Sequence, residues 1–291
     1  MNNYFFESNF ARYSKFKWDF IRKIRSIDKW NALAKNFEKK IDLINNNSFH
    51  NSEKIPKKIH QIWLGSKLPK KYSKWCDSWK RHNPEWEYKL WTDKDINLLQ
   101  LKNRKLFDYT QNKGLKSDLA RYEILYQFGG IYIDTDFECL KKIPDFLLYF
   151  DFVSCLGFNY EPEILNGFLM TSQSNIILKK IISSIKVDQK NPNEYYVMEN
   201  TGPKYLTKIY FENSGIFSNY MNLILPSNYC YPYPSFLIKS SLKFYDEVME
   251  ESFATHHWEM SWMRKNFLIR VIKKLNNLFR IFRNSSLFKK P

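Results

Sequence analysis

Cysteine is scarce and unpatterned. Cys76, Cys139, Cys155 and Cys230 are scattered without Cys-x-x-Cys spacing, which argues against a zinc site and a disulfide framework and suits a reducing compartment. Long apolar runs are missing as well. No uncharged stretch reaches the roughly 18 residues of a membrane-spanning helix, and the opening MNNYFFESNFARYSKFKW has neither a continuous apolar core nor a small-residue cleavage site. These absences predict no signal peptide and no spanning segment. Acidic residues are outnumbered, 30 against 46 Lys and Arg, for a formal net charge of +16. Such an excess favours anionic partners in general (nucleic acid, acidic lipid, phosphorylated substrates) without choosing among them.

Core-forming residues are plentiful. Across 291 residues, 44% are hydrophobic and 18% aromatic, which excludes global disorder and suits one large domain with appendages. Near the start, Phe16, Phe20, Ile24, Ile27, Trp30 and Leu33 are interleaved with Lys and Arg, a pattern for amphipathic helices capping the core. The polar NNNSFHNS at 45–52 marks a boundary. Beyond Trp262, Leu268, Val271, Ile272, Leu275, Phe279 and Phe282 form an apolar stripe opposite basic residues, with no acidic residue after Glu259. This predicts a basic amphipathic helix that binds an anionic membrane surface or docks on the core.

Between these ends the chain alternates helix and strand, the order of an α/β fold with a Rossmann-like mixed sheet flanked by helices. KKIHQIWLG at 57–65 reads as a buried strand ending at Gly65, and Trp63 either stacks on a base or packs in the core. Trp75 and Trp79 share a helix face, and EWEYKLW alternates like a strand. Asp93 and Asp95 precede a helical run and read as helix-start charges. Phe152 to Leu156 and NGFLMT at 166–171 read as strands, Asn175 to Ile185 and the segment after Thr201-Gly202-Pro203 as helices, and Leu223 to Pro226 as an outer strand.

The stretch 116–138, KSDLARYEILYQFGGIYIDTDFE, organises the rest. Leu119, Tyr122, Leu125 and Tyr126 recur at helical spacing behind Ser117 and Asp118, either of which can cap a helix start. Gly129 and Gly130 close that helix, and Ile131 to Ile133 form a strand. Asp134 and Asp136 leave the strand at its carboxyl end, where open α/β sheets bind ligands. Two hard carboxylates in such a place suit Mg²⁺ or Mn²⁺ shared with a diphosphate. Asp118 and Arg121 lie on one face of the preceding helix, as a surface ion pair or as groups that hold a sugar's hydroxyls.

The run SDLARYEILYQFGGIYIDTD closely resembles the DXD-containing sugar-binding region of glycosyltransferase family 32 and is distantly similar to the large clostridial glucosylating toxins. The IPKKIHQIWLG opening and ATHHWEMSW at 254–262 extend the resemblance over roughly residues 55–262, with Met260 where typical members have a small residue. The resemblance implies a GT-A-type nucleotide-sugar transferase, retaining in outcome, with a UDP-sugar or GDP-mannose donor and a glycan or lipid-linked acceptor in cell-surface polysaccharide or lipooligosaccharide synthesis. It implies Asp134, Asp136 and His256, favoured over His257, as holders of Mn²⁺ or Mg²⁺. Asp118, Arg121, Asp134 and Asp136 would be catalytic, and Trp63, Asp118, Arg121, Tyr132, Asp134, Ser261 and Trp262 would bind the donor. The domains expected are an N-terminal helical extension at 1–50, the catalytic domain at 51–262 and the basic helix at 263–291. The place expected is cytoplasmic, on the inner face of the membrane, with no nucleic-acid partner. Two rivals stay open. A haloacid-dehalogenase-like phosphatase also carries Asp-x-Asp after a strand, although Glu138 stands where that motif has Thr or Val. A noncatalytic protein binding anionic surfaces would account for the charge but not for the carboxylates.

Overall fold

The structure is a computed structural model that describes residues 25–45, 52–157, 161–232, 252–259 and 261–262. The expectations for residues 10–24 and for the basic helix at 263–291 lie outside the described residues.

The elements that position the site are, in chain order, α1 (Ile27–Asn45), β1 (Lys58–Ile62), α2 (Lys70–His82), β2 (Glu87–Trp91), α3 (Lys113–Phe128), β3 (Gly130–Ile133), β4 (Phe137–Cys139), β5 (Phe152–Leu156), β6 (Ile164–Thr171), α4 (Ile176–Ser184), α5 (Glu194–Asn200), α6 (Pro203–Glu212), β7 (Asn222–Leu225) and β8 (Ala254–His256). Six strands form one mixed sheet in the order β2-β1-β3-β6-β5-β7. β1 runs parallel to β2 and β3, with Ile59 opposite Ile131 and His60 opposite Tyr132. β6 is antiparallel to β3 and β5, and β7 closes the far edge parallel to β5. The strands predicted at Phe152 to Leu156 and from Leu223 are both present, the latter at the edge. The sheet is covered by helices, so β3, β5 and β7 are buried at every position, as expected of strands without a solvent face.

α3 begins earlier than its charge pattern suggests. Its N-cap is Asn112, whose side-chain oxygen accepts from the Leu115 amide at 3.0 Å, so Ser117 and Asp118 lie inside the helix and cap nothing. The reason is packing: Leu115 is buried and extends the apolar stripe of Leu119 and Tyr122 back by one turn. Gly129 closes the helix at φ +63°, its amide donating to Leu125 O at 2.8 Å, and Gly130 follows at φ +95°. The Asp93/Asp95 reading holds, because Thr92 caps the short helix Asp93–Asn97 and Asp95 completes a capping box.

α1 presents Trp30, Leu33, Ala34 and Phe37 to the core and packs beside β7, with Lys40 Nζ 3.1 Å from Met221 Sδ. α2 is tied down by the buried Trp79, whose indole donates to Phe137 O at 3.0 Å. A two-stranded antiparallel ribbon, β4 with β8, was not foreseen. It pairs Phe137 with His256 and Cys139 with Ala254, bringing the late segment back beside Asp136. Among the described residues, no helix is long and apolar enough to cross a membrane.

The Gly-Gly turn makes a stability prediction. A Cβ on Gly130 would sit 2.5 Å from Lys58 O, in a backbone conformation that L side chains rarely adopt. Gly130→Ala should therefore cost roughly 2–4 kcal/mol from strain and crowding together. Urea unfolding should show a lower midpoint at unchanged slope, and a midpoint within error of the parent would refute it.

Candidate active site

Because β1 and β3 are parallel neighbours, their carboxyl ends open on the same edge of the sheet. A cavity of about 330 Å³ lies there. Trp63 and Leu64 follow β1, Asp134 to Asp136 follow β3, Asn166 and Gly167 come from β6, and α3 supplies Asp118 and Arg121. Trp63, Tyr132, His256, Ser261 and Trp262 line the same cavity. All nine residues expected at the site therefore border one space.

Asp134 is fixed from three sides. Its amide donates to Gly167 O at 2.9 Å, and its Oδ1 accepts from Tyr132 Oη at 2.7 Å and meets Arg121 Nη1 at 3.2 Å. A Cβ on Gly167 would come within 2.7 Å of Asp134 Oδ2 and 3.1 Å of Tyr231 Oη, so glycine is what leaves that oxygen room. Asp136 contacts His256 Nε2 through Oδ1 at 3.0 Å and accepts the Glu259 amide through Oδ2 at 2.9 Å, while its own carbonyl accepts the His257 amide at 2.9 Å. The two carboxyls are tuned in opposite directions. Burial pushes Asp134 up, against the pull of Arg121 and with repulsion from Asp136. Burial also works against ionisation of Asp136, but His256 and the Glu259 amide outweigh it and hold that carboxyl below its usual range.

One atom each from Asp134, Asp136 and His256 lies within 4.8 Å of the others, a donor set that could hold a divalent cation. A second observation fits this grouping. His256 Nδ1 is buried with no hydrogen-bond partner among the described residues, and so is Tyr231 Oη beside it. Buried polar atoms are normally paired, so both atoms have hydrogen-bonding or ligating capacity that a bound group could take up. His257 points elsewhere, with Nε2 2.9 Å from Glu138 Oε2 and its ring stacked on Trp75 at 4.2 Å. His60 is structural. It is buried between Gly129 O and the Trp91 indole, and burial pushes its pKa down to about 4.

The Asp118/Arg121 pair is not on the surface. Each is only 5% exposed, and they meet at 3.3 Å. Arg121 Nη1 donates to Asn166 O at 2.7 Å, Nη2 to Ser117 Oγ at 3.2 Å, and the guanidinium lies over the Tyr132 ring. Asp118 accepts Asn166 Nδ2 on Oδ1 and Thr201 Oγ1 on Oδ2, both at 2.9 Å. Burial raises Asp118 to about 6, although Arg121, Thr201 and Asn166 all pull it down. Asn166 and Thr201 are the residues that sequence reasoning passed over at this site. The sequence places Asn166 on a strand close to the acceptor and Thr201 in a Thr-Gly-Pro turn that either starts a helix or contacts substrate, and it pairs neither with Asp118. The signal available was a polar residue type inside an otherwise apolar strand for Asn166 and at a helix end for Thr201.

On the opposite side, Trp63 is half-buried, its indole donating to Ser66 Oγ at 3.1 Å while Tyr72 packs against the ring at 4.7 Å. Trp262 lies over α3, where a Cβ on Gly114 would come 2.5 Å from its ring.

Residues 69–152 match the family model described as the glycosyltransferase sugar-binding region containing the DXD motif. Inositol phosphoceramide mannosyltransferase 1 of Schizosaccharomyces pombe is 38% identical over 103 residues, 33% of this chain and 32% of that protein. Inositol phosphoceramide mannosyltransferase 3 of the same organism is 29% identical over 180 residues, 59% of this chain and 49% of its own length. The chain thus spans about a third to a half of these relatives. Among solved structures, the catalytic domain of alpha-toxin from Clostridium novyi superposes with a TM-score of 0.50 at 10% identity, covering 86% of this chain and 87% of that one. That likeness is one of fold, and with the sheet described above it makes this a GT-A-type α/β fold.

Thr201 carries a prediction about charge. Asp118's folded pKa lies above that of an unfolded aspartate near 3.9, so ionising it costs stability progressively from about pH 4 to about pH 6 and fully above that. The Thr201 hydroxyl offsets part of this cost only while Asp118 is ionised. Thr201→Val, close in shape, should therefore lose about 1–3 kcal/mol at pH 8 and clearly less at pH 5. Urea unfolding at the two pH values reads the difference, and equal losses would show that the hydroxyl does not serve the carboxylate.

Proposed function

We propose, for a chain that carries the DXD-containing sugar-binding region of glycosyltransferases over residues 69–152, that it transfers a hexosyl group from a nucleoside diphosphate to a hydroxyl of a glycan or lipid-linked acceptor. The observation that carries this reading is the pairing, across one cavity, of the Asp134, Asp136 and His256 cluster with the buried Asp118/Arg121 pair. One half suits a metal-bound diphosphate, the other a sugar.

The transfer breaks the bond between the sugar's anomeric carbon and the diphosphate oxygen, whose electrons leave with the nucleotide. A bond forms from the acceptor oxygen to that carbon, and the hydroxyl proton is released. Asp134, Asp136 and His256 would hold a divalent cation, Mn²⁺ or Mg²⁺, which when bound would supply Lewis-acid neutralisation of the departing diphosphate, worth several kcal/mol. The chain's own groups position the donor. Asp118, anchored by Thr201 and Asn166, keeps lone pairs for a sugar hydroxyl, because an ionised carboxylate has about four acceptor sites. Arg121 presents its charge between Asp118 and Asp134 and orients the sugar against the diphosphate. Tyr132 holds Asp134 in place through its hydroxyl. Trp63 offers an aromatic face to the base, with stacking worth roughly 1–3 kcal/mol, and Ser261 and Trp262 border the cavity where the diphosphate would lie. The mannosyltransferase names of the relatives support mannose as a donor sugar beside the UDP-hexoses.

Incubation with Mn²⁺ and a panel of UDP- and GDP-sugars tests this by nucleotide release. One donor should be hydrolysed in a metal-dependent manner, and Asp136→Ala should slow release by about a hundredfold or more, the kinetic equivalent of several kcal/mol. Release that survives in Asp136→Ala and in chelator would refute the assignment, and metal-dependent phosphate release from simple phosphomonoesters would move the protein to the phosphatase class.

A further inference from the structure

The cavity contains a cation to which the transfer reading gives no role. Lys113 is the first residue of α3 and lines the cavity. Its ammonium lies against Gly65, where a Cβ would come 2.5 Å from Nζ and 2.7 Å from Cε. The slot is built by backbone. Gly65 stands at φ +80°, and its amide is held by Asp93 Oδ2 at 2.7 Å, so the turn after β1 both needs glycine and leaves the space that the lysine occupies. Among the described residues, Lys113 has no carboxylate within ion-pair distance, unlike Arg121, which has two.

Its place in the fold says what it faces. The sheet order β2-β1-β3-β6 sets the carboxylates after β3 in the middle, and Asp118, Asn166 and Thr201 toward β6. A nucleotide sugar with its diphosphate at Asp134 and Asp136 and its sugar at Asp118 therefore extends its nucleoside toward β1. The groups on that side are Trp63, which offers a ring face, and Lys113 beside Gly65, which offers three N–H donors at the edge of such a ring. An ammonium only donates. It matches a base edge with an exocyclic carbonyl, O4 of uracil or O6 of guanine, and mismatches the amino group that cytosine or adenine carries at the same position.

We propose that Lys113 is a specificity-determining residue that reads the nucleobase edge and selects a carbonyl-bearing base over an amino-bearing one. The inference rests on the nucleotide-sugar reading above and adds to it a residue for base choice.

Calorimetric titration of the full chain with UDP, CDP, GDP and ADP in Mn²⁺ tests it, using the wild type, Lys113→Met and Lys113→Arg. Lys113 is exposed, so both variants should melt with the parent. In the wild type, UDP should bind better than CDP, or GDP better than ADP, by about tenfold, the discrimination expected of one good base contact. Lys113→Met should compress that ratio to within about twofold, and Lys113→Arg should keep most of it. A wild type that binds carbonyl and amino bases equally overturns the inference and leaves the nucleotide reading standing. The same holds if Lys113→Met weakens all four diphosphates by one common factor, which would make Lys113 a phosphate contact. Failure of all four to bind the wild type overturns the nucleotide reading and this inference with it.

Discussion

Arg121 is where the two halves of the site are joined. Its guanidinium lies almost out of water, 3.3 Å from Asp118 and 3.2 Å from Asp134, with Asn166 O and Ser117 Oγ taking further N–H groups. Removing a charge from water costs several kcal/mol even after relaxation, so such a group persists only when its donors are met by well-placed acceptors. Here they are met from α3, β3 and β6 at once. The cation thereby fixes the spacing between a carboxylate suited to a sugar and a carboxylate suited to a metal. Deleting one partner of a buried set of this kind typically costs about 3–5 kcal/mol, which ties the site to the stability of the sheet's central strands.

The second constraint is the β4–β8 ribbon. It spans only three pairs, yet it carries the return of the chain over more than a hundred residues and delivers His256 Nε2 and the Glu259 amide to Asp136. Trp79 from α2 caps the ribbon through Phe137 O, and Phe137 itself packs edge-on against Tyr231 and beside His256. The metal-suited cluster therefore depends on aromatic packing beneath it. Buried aromatics contribute large apolar areas and directional contacts, which is how so short a ribbon holds a polar site.

What could be read in advance was what is local. The stripe of Leu119, Tyr122 and Leu125, the glycine pair and the apolar run into Asp134 are neighbours in the chain, and the helix, turn and strand they imply are present. The start of α3 was misplaced because charge looked like a cap while Leu115 was already part of the buried face. Asn166 and Thr201 were not legible as partners of Asp118, since they lie 48 and 83 positions from it and nothing in their own neighbourhoods encodes the meeting. β8 is three residues long, too short to show an alternation, so His256 reached the candidate list only through a resemblance. Gly167 gave no signal either, because its role is the oxygen it makes room for.

The same side chain stands in three different environments in this cavity. Asp136 accepts two backbone or imidazole contacts that favour its charge, so it remains a carboxylate despite burial. Asp118 receives comparable hydrogen bonds, but burial prevails and lifts it to about 6. Asp134, between them, feels Arg121 on one side and Asp136 on the other, and is raised. An anionic group that must meet a cation benefits from being ionised beforehand, and Asp136 is the carboxyl of the three whose surroundings favour that state. Groups whose environments push their pKa values apart are a common mark of a functional site, and here the split falls inside the Asp134/Asp136 pair itself, between a carboxyl beside Arg121 and one held by His256 and the Glu259 amide.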